Sequence, residues 1–219
     1  MVGAPVVWLA AAVAASQQPA PPSYVTGLET QALIEQLNGE LLASRSATLT
    51  LEHWCAEHHM AQTPKLTAQR DVTTVKAASA ETRAHLQVGP DEPLGYRRVR
   101  LTCGDHVMSE ADNWYVPARL TPEMNRLLEE TDTPFGRAIL ALGVHRQTIA
   151  VDRLWSPLAP NWADAPVSAK VVAKPADGAL FRHRAVLLTP TGQPVSEVAE
   201  TYLADSLDFP RHAGEAPPH

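Results

Sequence analysis

The sequence is short of most features that announce a function. It has two cysteines, Cys55 and Cys103, with no C-x-x-C and no Cys/His spacing of zinc type, so a structural metal site is not indicated. It has no run of Lys or Arg, and its net charge of -6 argues against a general nucleic-acid binder. Aromatic residues make up 5% of the chain. G-x-G-x-x-G, G-x-x-x-x-G-K-[ST], G-x-S-x-G and H-E-x-x-H are all missing, which removes the common nucleotide-binding, hydrolase and zincin readings. No internal repeat is evident. The one continuous apolar run, Val6 to Ala15, is too short to span a bilayer.

What is present fits one domain with appendages, long enough at 219 residues to bury a core without metal or disulfide help. Met1 to Gln18 resembles a signal-peptide apolar region, and Val13-Ala14-Ala15 provides small residues for cleavage. It lacks the positive segment, because no Lys or Arg precedes Arg45. Residues 1–22 are therefore read as leader and linker, 23–209 as the domain and 210–219 as a tail. The expected location is periplasmic or secreted, with the cytoplasm as the alternative. Cys55 and Cys103 sit in apolar surroundings, where a free thiol packs as a small hydrophobe. Their pairing in an oxidising compartment is left open by the sequence.

Leu33, Ile34, Leu37, Leu41 and Leu42 recur at helical spacing over Glu29–Leu42. A second helix follows, with Ser46 or Thr48 as N-cap and Leu49, Leu51, Trp54 and Cys55 inward. His53, His58 and His59 do not share a helix face and read as exposed helix-end histidines. Lys65–Ala77 alternates as a strand, and a short helix covers Ser79–Leu86. Two strands turning at Gly104-Asp105 then form a hairpin ended by Pro117. Thr121-Pro122-Glu123 opens a helix, with Thr as N-cap and Pro at the first helical position. Further strands are expected at Val144–Trp155, Val167–Ala173, Leu180–Thr189 and Val195–Ala204. Helices followed by hairpin-linked strands indicate an α+β fold with a mostly antiparallel sheet.

Tyr96 to Cys103, the Ala111–Pro117 return strand, Thr133-Pro-Phe-Gly-Arg137, Arg146 and Glu200-Thr-Tyr-Leu203 resemble chorismate pyruvate-lyase and the related ligand-sensing domains of GntR-type regulators. The resemblance spans about residues 28–209. It implies a six-stranded antiparallel sheet with helices packed on one side and a buried ligand pocket. It also implies elimination of pyruvate from chorismate, or from a similar enolpyruvyl compound, to give 4-hydroxybenzoate. The alternative is a non-catalytic module of the same fold that binds a small aromatic carboxylate. Neither reading requires a cofactor or metal. The expected partner is a small anionic aromatic or enolpyruvyl ligand, with no nucleic acid, no stable membrane insertion and a monomeric state.

Carried over by position, Arg98 and Glu200 are the expected catalytic pair. Ala47, Phe135, Gly136 and Asn113 are the expected substrate contacts, Ala47 and Phe135 through backbone N–H groups. Arg suits a carboxylate because its planar fork binds in a bidentate manner and stays charged when buried. A buried Glu has its pKa raised and can donate a proton. Asn113 stands where the lyase carries a second Arg, and Glu197 competes with Glu200 for the acid role. The residues alone read differently in places. Alternation puts Arg98 with Tyr96, Arg100 and Thr102, opposite Val99, Leu101 and Cys103. Trp114 and Tyr115 read as sheet packing, and Arg146 and Arg153 as surface strand cations.

Overall fold

The computed structural model describes residues 23–164, 166 and 171–210. The leader and linker at 1–22, residues 167–170 of the expected strand at 167–173, and the tail beyond Pro210 lie outside these residues. Residues 171–173 are irregular. Five helices and six strands follow in the order α1 (Tyr24–Ala43), α2 (Ala47–Glu57), β1 (Leu66–Asp71), α3 (Ala80–His85), β2 (Gly95–Cys103), β3 (His106–Tyr115), α4 (Pro122–Glu130), α5 (Phe135–Ala138), β4 (His145–Arg153), β5 (Ala179–Leu188) and β6 (Pro194–Leu203). The sheet is open, with antiparallel pairing throughout and the order β1-β2-β3-β6-β5-β4. The fold is α+β, as expected.

Local chemistry sets the boundaries. Ser23 caps α1 by accepting from the Thr26 N–H, which starts the helix earlier than Glu29. Ser46 caps α2 by accepting from the Leu49 N–H, and Thr121 caps α4 by accepting from the Met124 N–H. The strand expected over Lys65–Ala77 stops at Asp71. That carboxylate accepts from the backbone N–H groups and hydroxyls of Thr73 and Thr74, a local turn that competes with the ladder. The same bonds, Thr74's hydroxyl foremost, hold the Asp71 carboxyl well below the usual range.

Helices α1, α2, α4 and α5 cover one face of the sheet. Ile34, Leu37 and Leu41 of α1 and Leu51 and Trp54 of α2 pack on Ala68, Leu101, Met108, Phe181 and Tyr202. The Cys55–Cys103 disulfide ties α2 to the end of β2, with Cα atoms 6.5 Å apart. A second cluster, Tyr115, Leu120, Met124, Leu128, Ile139 and Val195, lies under α4 and α5. Gly95 has no alternative here: a Cβ would fall 2.2 Å from the Tyr115 ring. The short α3 departs from the one-sided arrangement, packing Leu86 on the outer face beside Trp114. His58 stacks on Phe209 at 4.0 Å between ring centroids rather than lying exposed. Among the described residues no His, Cys, Asp or Glu group gathers in a metal-holding arrangement, and no helix is long and apolar enough to cross a membrane.

Candidate functional site

The inner face of the sheet holds a cavity of about 270 Å³ where the two apolar clusters meet. That is slightly below the usual range for drug-sized ligands, so the space suits a small molecule. Val99, Leu101, Ala111, Val198 and Leu187 form its apolar floor, and Phe135 and Val144 close its side. The first turn of α2 comes down over it, from Arg45 to Leu49. Gly136 lets α5 approach this turn closely, since a Cβ at that position would lie 2.8 Å from Thr48 Oγ1. The Ala47 and Thr48 amides are the first two of α2 and have no intrahelical acceptor; with the helix dipole they favour negative charge.

Alternation along β2 decides which arginine enters. Arg97, Val99 and Leu101 share the covered face, while Arg98 and Arg100 share the other. Arg97 is 5% exposed and lines the cavity. Its Nη1 and Nη2 donate to the Thr133 carbonyl at 3.2 and 3.3 Å, and its Nε is buried with no partner. Burial, and secondarily the charge of Arg70, lower its pKa to about 10, so it remains a cation at neutral pH. Arg98 is a correction to the expected site. It lies on the outer face, with Nη2 3.2 Å from Glu110, Nη1 3.2 Å from Asp112 and Nε 3.9 Å from Asp71. A shift of one residue along a strand reverses the face, so the arginine picked by motif position lies outside the cavity and its neighbour Arg97 lines it.

The other expected residues, Glu200, Ala47, Phe135, Asn113 and Gly136, all line this one cavity. Asn113 Oδ1 accepts from Ser196 Oγ at 2.6 Å, which leaves the amide donor to the cavity. Glu200 is buried; its carboxylate accepts from Ser109 Oγ at 2.7 Å and from the Tyr202 hydroxyl at 3.0 Å. Burial, reinforced by the Glu200 charge, raises Tyr202 well above its usual pKa, which keeps its proton in place for that bond. Glu197 faces outward, buried against Arg184 Nη2 at 2.8 Å and His85 Nδ1 at 2.8 Å. The three-residue offset puts the two acids on opposite faces.

Arg146 is the residue that sequence reading took for a surface cation. It projects into the cavity from β4, donating to Thr148 Oγ1 at 2.7 Å and lying 3.5 Å from His183 Nδ1; its Nε is buried and unpartnered. Its place among the resembling positions was the available signal, and alternation in an edge strand with a register shift at Thr148/Ala150 hid it. His183 Nε2 lies 2.8 Å from Asn38 Oδ1, an acceptor, which suits a proton on Nε2, and the Arg146 donor facing Nδ1 suits an unprotonated nitrogen there. Burial, then the Arg146 charge, lower its pKa to about 4. Arg153 pairs with Glu35 on the surface.

Three arginines (Arg45, Arg97, Arg146) therefore face one carboxylate (Glu200) in a chain that is acidic overall. Register places Arg97 opposite Asn113 and Val198, and Val99 opposite Ala111 and Glu200. Arg97 and Glu200 are thus two strands and two residues apart, roughly 12 Å between Cα atoms from standard sheet spacings. The arrangement can hold an anion at one end and a hydrogen-bonding group at the other.

No family model matches the chain. It is 45% identical over 199 residues to the uncharacterized protein y4mC of Sinorhizobium fredii, covering 89% of this chain and 84% of that protein. Among solved structures it is similar to the effector domain of PhnF from Mycobacterium smegmatis (16% identity, TM-score 0.47, 73% of this chain and 89% of that one). It is also similar to a GntR-family transcriptional regulator from Bacillus cereus (11%, TM-score 0.40, 68% and 99%). Against YydK of Bacillus subtilis (15%, TM-score 0.40) it aligns over 68% of its own length and spans 62% of that chain.

Proposed function

The chain belongs to one family with y4mC of Sinorhizobium fredii, and we propose that it is a non-catalytic module that binds a small aromatic carboxylate in the inner-face cavity. One observation carries this reading: Arg97, a buried guanidinium with no carboxylate within ion-pair distance among the described residues, keeps an unpartnered Nε in an apolar cavity. An unpaired buried charge is costly to folding, and a bound anion removes that cost. The α2 amides and Arg146 supply further donors, and Glu200 with Asn113 accepts or donates hydrogen bonds at the far side.

A second reading, elimination of pyruvate from chorismate, is favoured by Glu200 sharing the cavity with Arg97. An acid opposite a carboxylate anchor could serve such an elimination, in which orientation and desolvation of the anion do most of the work. Asn113 at the position of the lyase's second arginine weighs against it. Calorimetric titration with 4-hydroxybenzoate, alongside incubation with chorismate, separates the two. Saturable binding with no 4-hydroxybenzoate produced supports the binding module. Turnover lost in Glu200→Gln replaces it with the enzyme, and neither binding nor turnover removes both.

A further inference from the structure

The cavity floor sets a few polar groups among apolar ones, and exposed leucines stand at its edge. Arg97, Asn113 and Glu200 are buried on the sheet floor. Leu49, in the first turn of α2, and Leu140, in the 3-10 turn Leu140–Leu142, also line the cavity, yet they are 44% and 54% exposed. A single exposed leucine is ordinary. Two on different elements, lining the same cavity as Val144, Leu187 and Phe135, leave part of its apolar wall in contact with solvent. Arg45 is the one charged cavity-lining residue that is exposed. Its aliphatic stem can lie along an apolar group while its guanidinium stays in water.

We propose that the ligand of this cavity is an amphiphilic acid, its anionic head held at Arg97 and Arg146 and an apolar tail leaving past Leu49 and Leu140. The proposal rests on the reading of the cavity as an anion site and adds the ligand's second half. The cavity volume supports it: about 270 Å³ takes a head of single-ring size, and anything longer must emerge across the two leucines. The tail in turn would cover the apolar surface that the fold leaves wet.

The test is calorimetric titration of the full chain with benzoate and with straight-chain carboxylates from butanoate to decanoate. Covering a methylene adds about 0.8 kcal/mol when burial is complete, or roughly fourfold in affinity, and about twofold when it is half covered. We expect affinity to climb two- to fourfold per methylene on this basis. In Leu49→Ser/Leu140→Ser the climb should flatten for the longer acids while butanoate and benzoate bind as before. Both leucines are exposed, so the variant keeps its core. Affinity that stops rising at the shortest acids, or an unchanged climb in the double variant, overturns the amphiphile and leaves the anion site intact. Binding of no acid at any length, short members included, overturns the anion site and the tail with it.

Discussion

At the scale of single residues, a one-position difference separates a cavity-lining guanidinium from one on the outer face of the sheet. Arg97 and Arg98 are chemically identical, and only the pleat of β2 sends one to the cavity and the other to Asp112 and Glu110. The information was in the sequence, because Val99, Leu101 and Cys103 mark the buried face and Arg97 is in phase with them. Motif position obscured it. His183 was not legible as part of the site. Its role depends on Arg146 reaching across from β4 and on Asn38 reaching down from α1, and no local pattern encodes such contacts. It gives a pH prediction with a definite sign. Its folded pKa of about 4 lies below the ordinary 6.5, so between these values the unfolded chain takes up a proton that the folded one refuses. Stability should be insensitive to His183 above pH 6.5 and fall as pH drops, by about 3 kcal/mol at pH 4. Urea unfolding across this range should show that slope, and in His183→Gln it should be missing. An equal slope in the variant assigns the acid sensitivity to other groups.

At the scale of elements, the cavity exists because the N-terminal turns of α2 and α5 meet over the sheet. The Ser46 cap and the Thr-Pro-Phe-Gly corner were both visible in the sequence, and so was the hairpin that carries Arg97. Less visible was the contact between them. Gly136 reads as a loop glycine until Thr48, a buried residue, is placed beside it. Gly136→Ala should therefore push α5 off α2, cost about 1–3 kcal/mol and weaken ligand binding. Thr48→Ala in the same chain should recover most of that loss, and a double-mutant cycle by chemical denaturation measures the coupling. Additive losses would show that the two positions do not interact. The strand at β1 was overextended for a related reason: period-two alternation continued past Asp71, but Asp71's bonds to Thr73 and Thr74 end the ladder.

For the whole molecule, the order of helices and hairpins sufficed to read an α+β antiparallel fold, while the strand order and the two-cluster core emerge only from packing. The Cys55–Cys103 bond is a global constraint that the sequence left open. It closes a loop with a sequence separation of 48, for which chain-entropy arguments give about 4 kcal/mol. Reduction, or the Cys55→Ala/Cys103→Ala variant, should lower the unfolding free energy by about that amount, and an unchanged denaturation midpoint would mean that the bond constrains nothing.

The central claim is that the inner-face cavity is an anion site anchored by Arg97, and paired titrations of 4-hydroxybenzoate into wild type, Arg97→Ala and Arg98→Ala test it most directly. Loss of one partner of a buried charged contact costs roughly 2–5 kcal/mol, so Arg97→Ala should bind at least about thirtyfold more weakly. Arg98→Ala removes only part-buried ion pairs on the other face, away from the cavity, and should bind within about twofold of wild type. Equal binding by wild type and Arg97→Ala, or loss of binding in Arg98→Ala alone, contradicts the account.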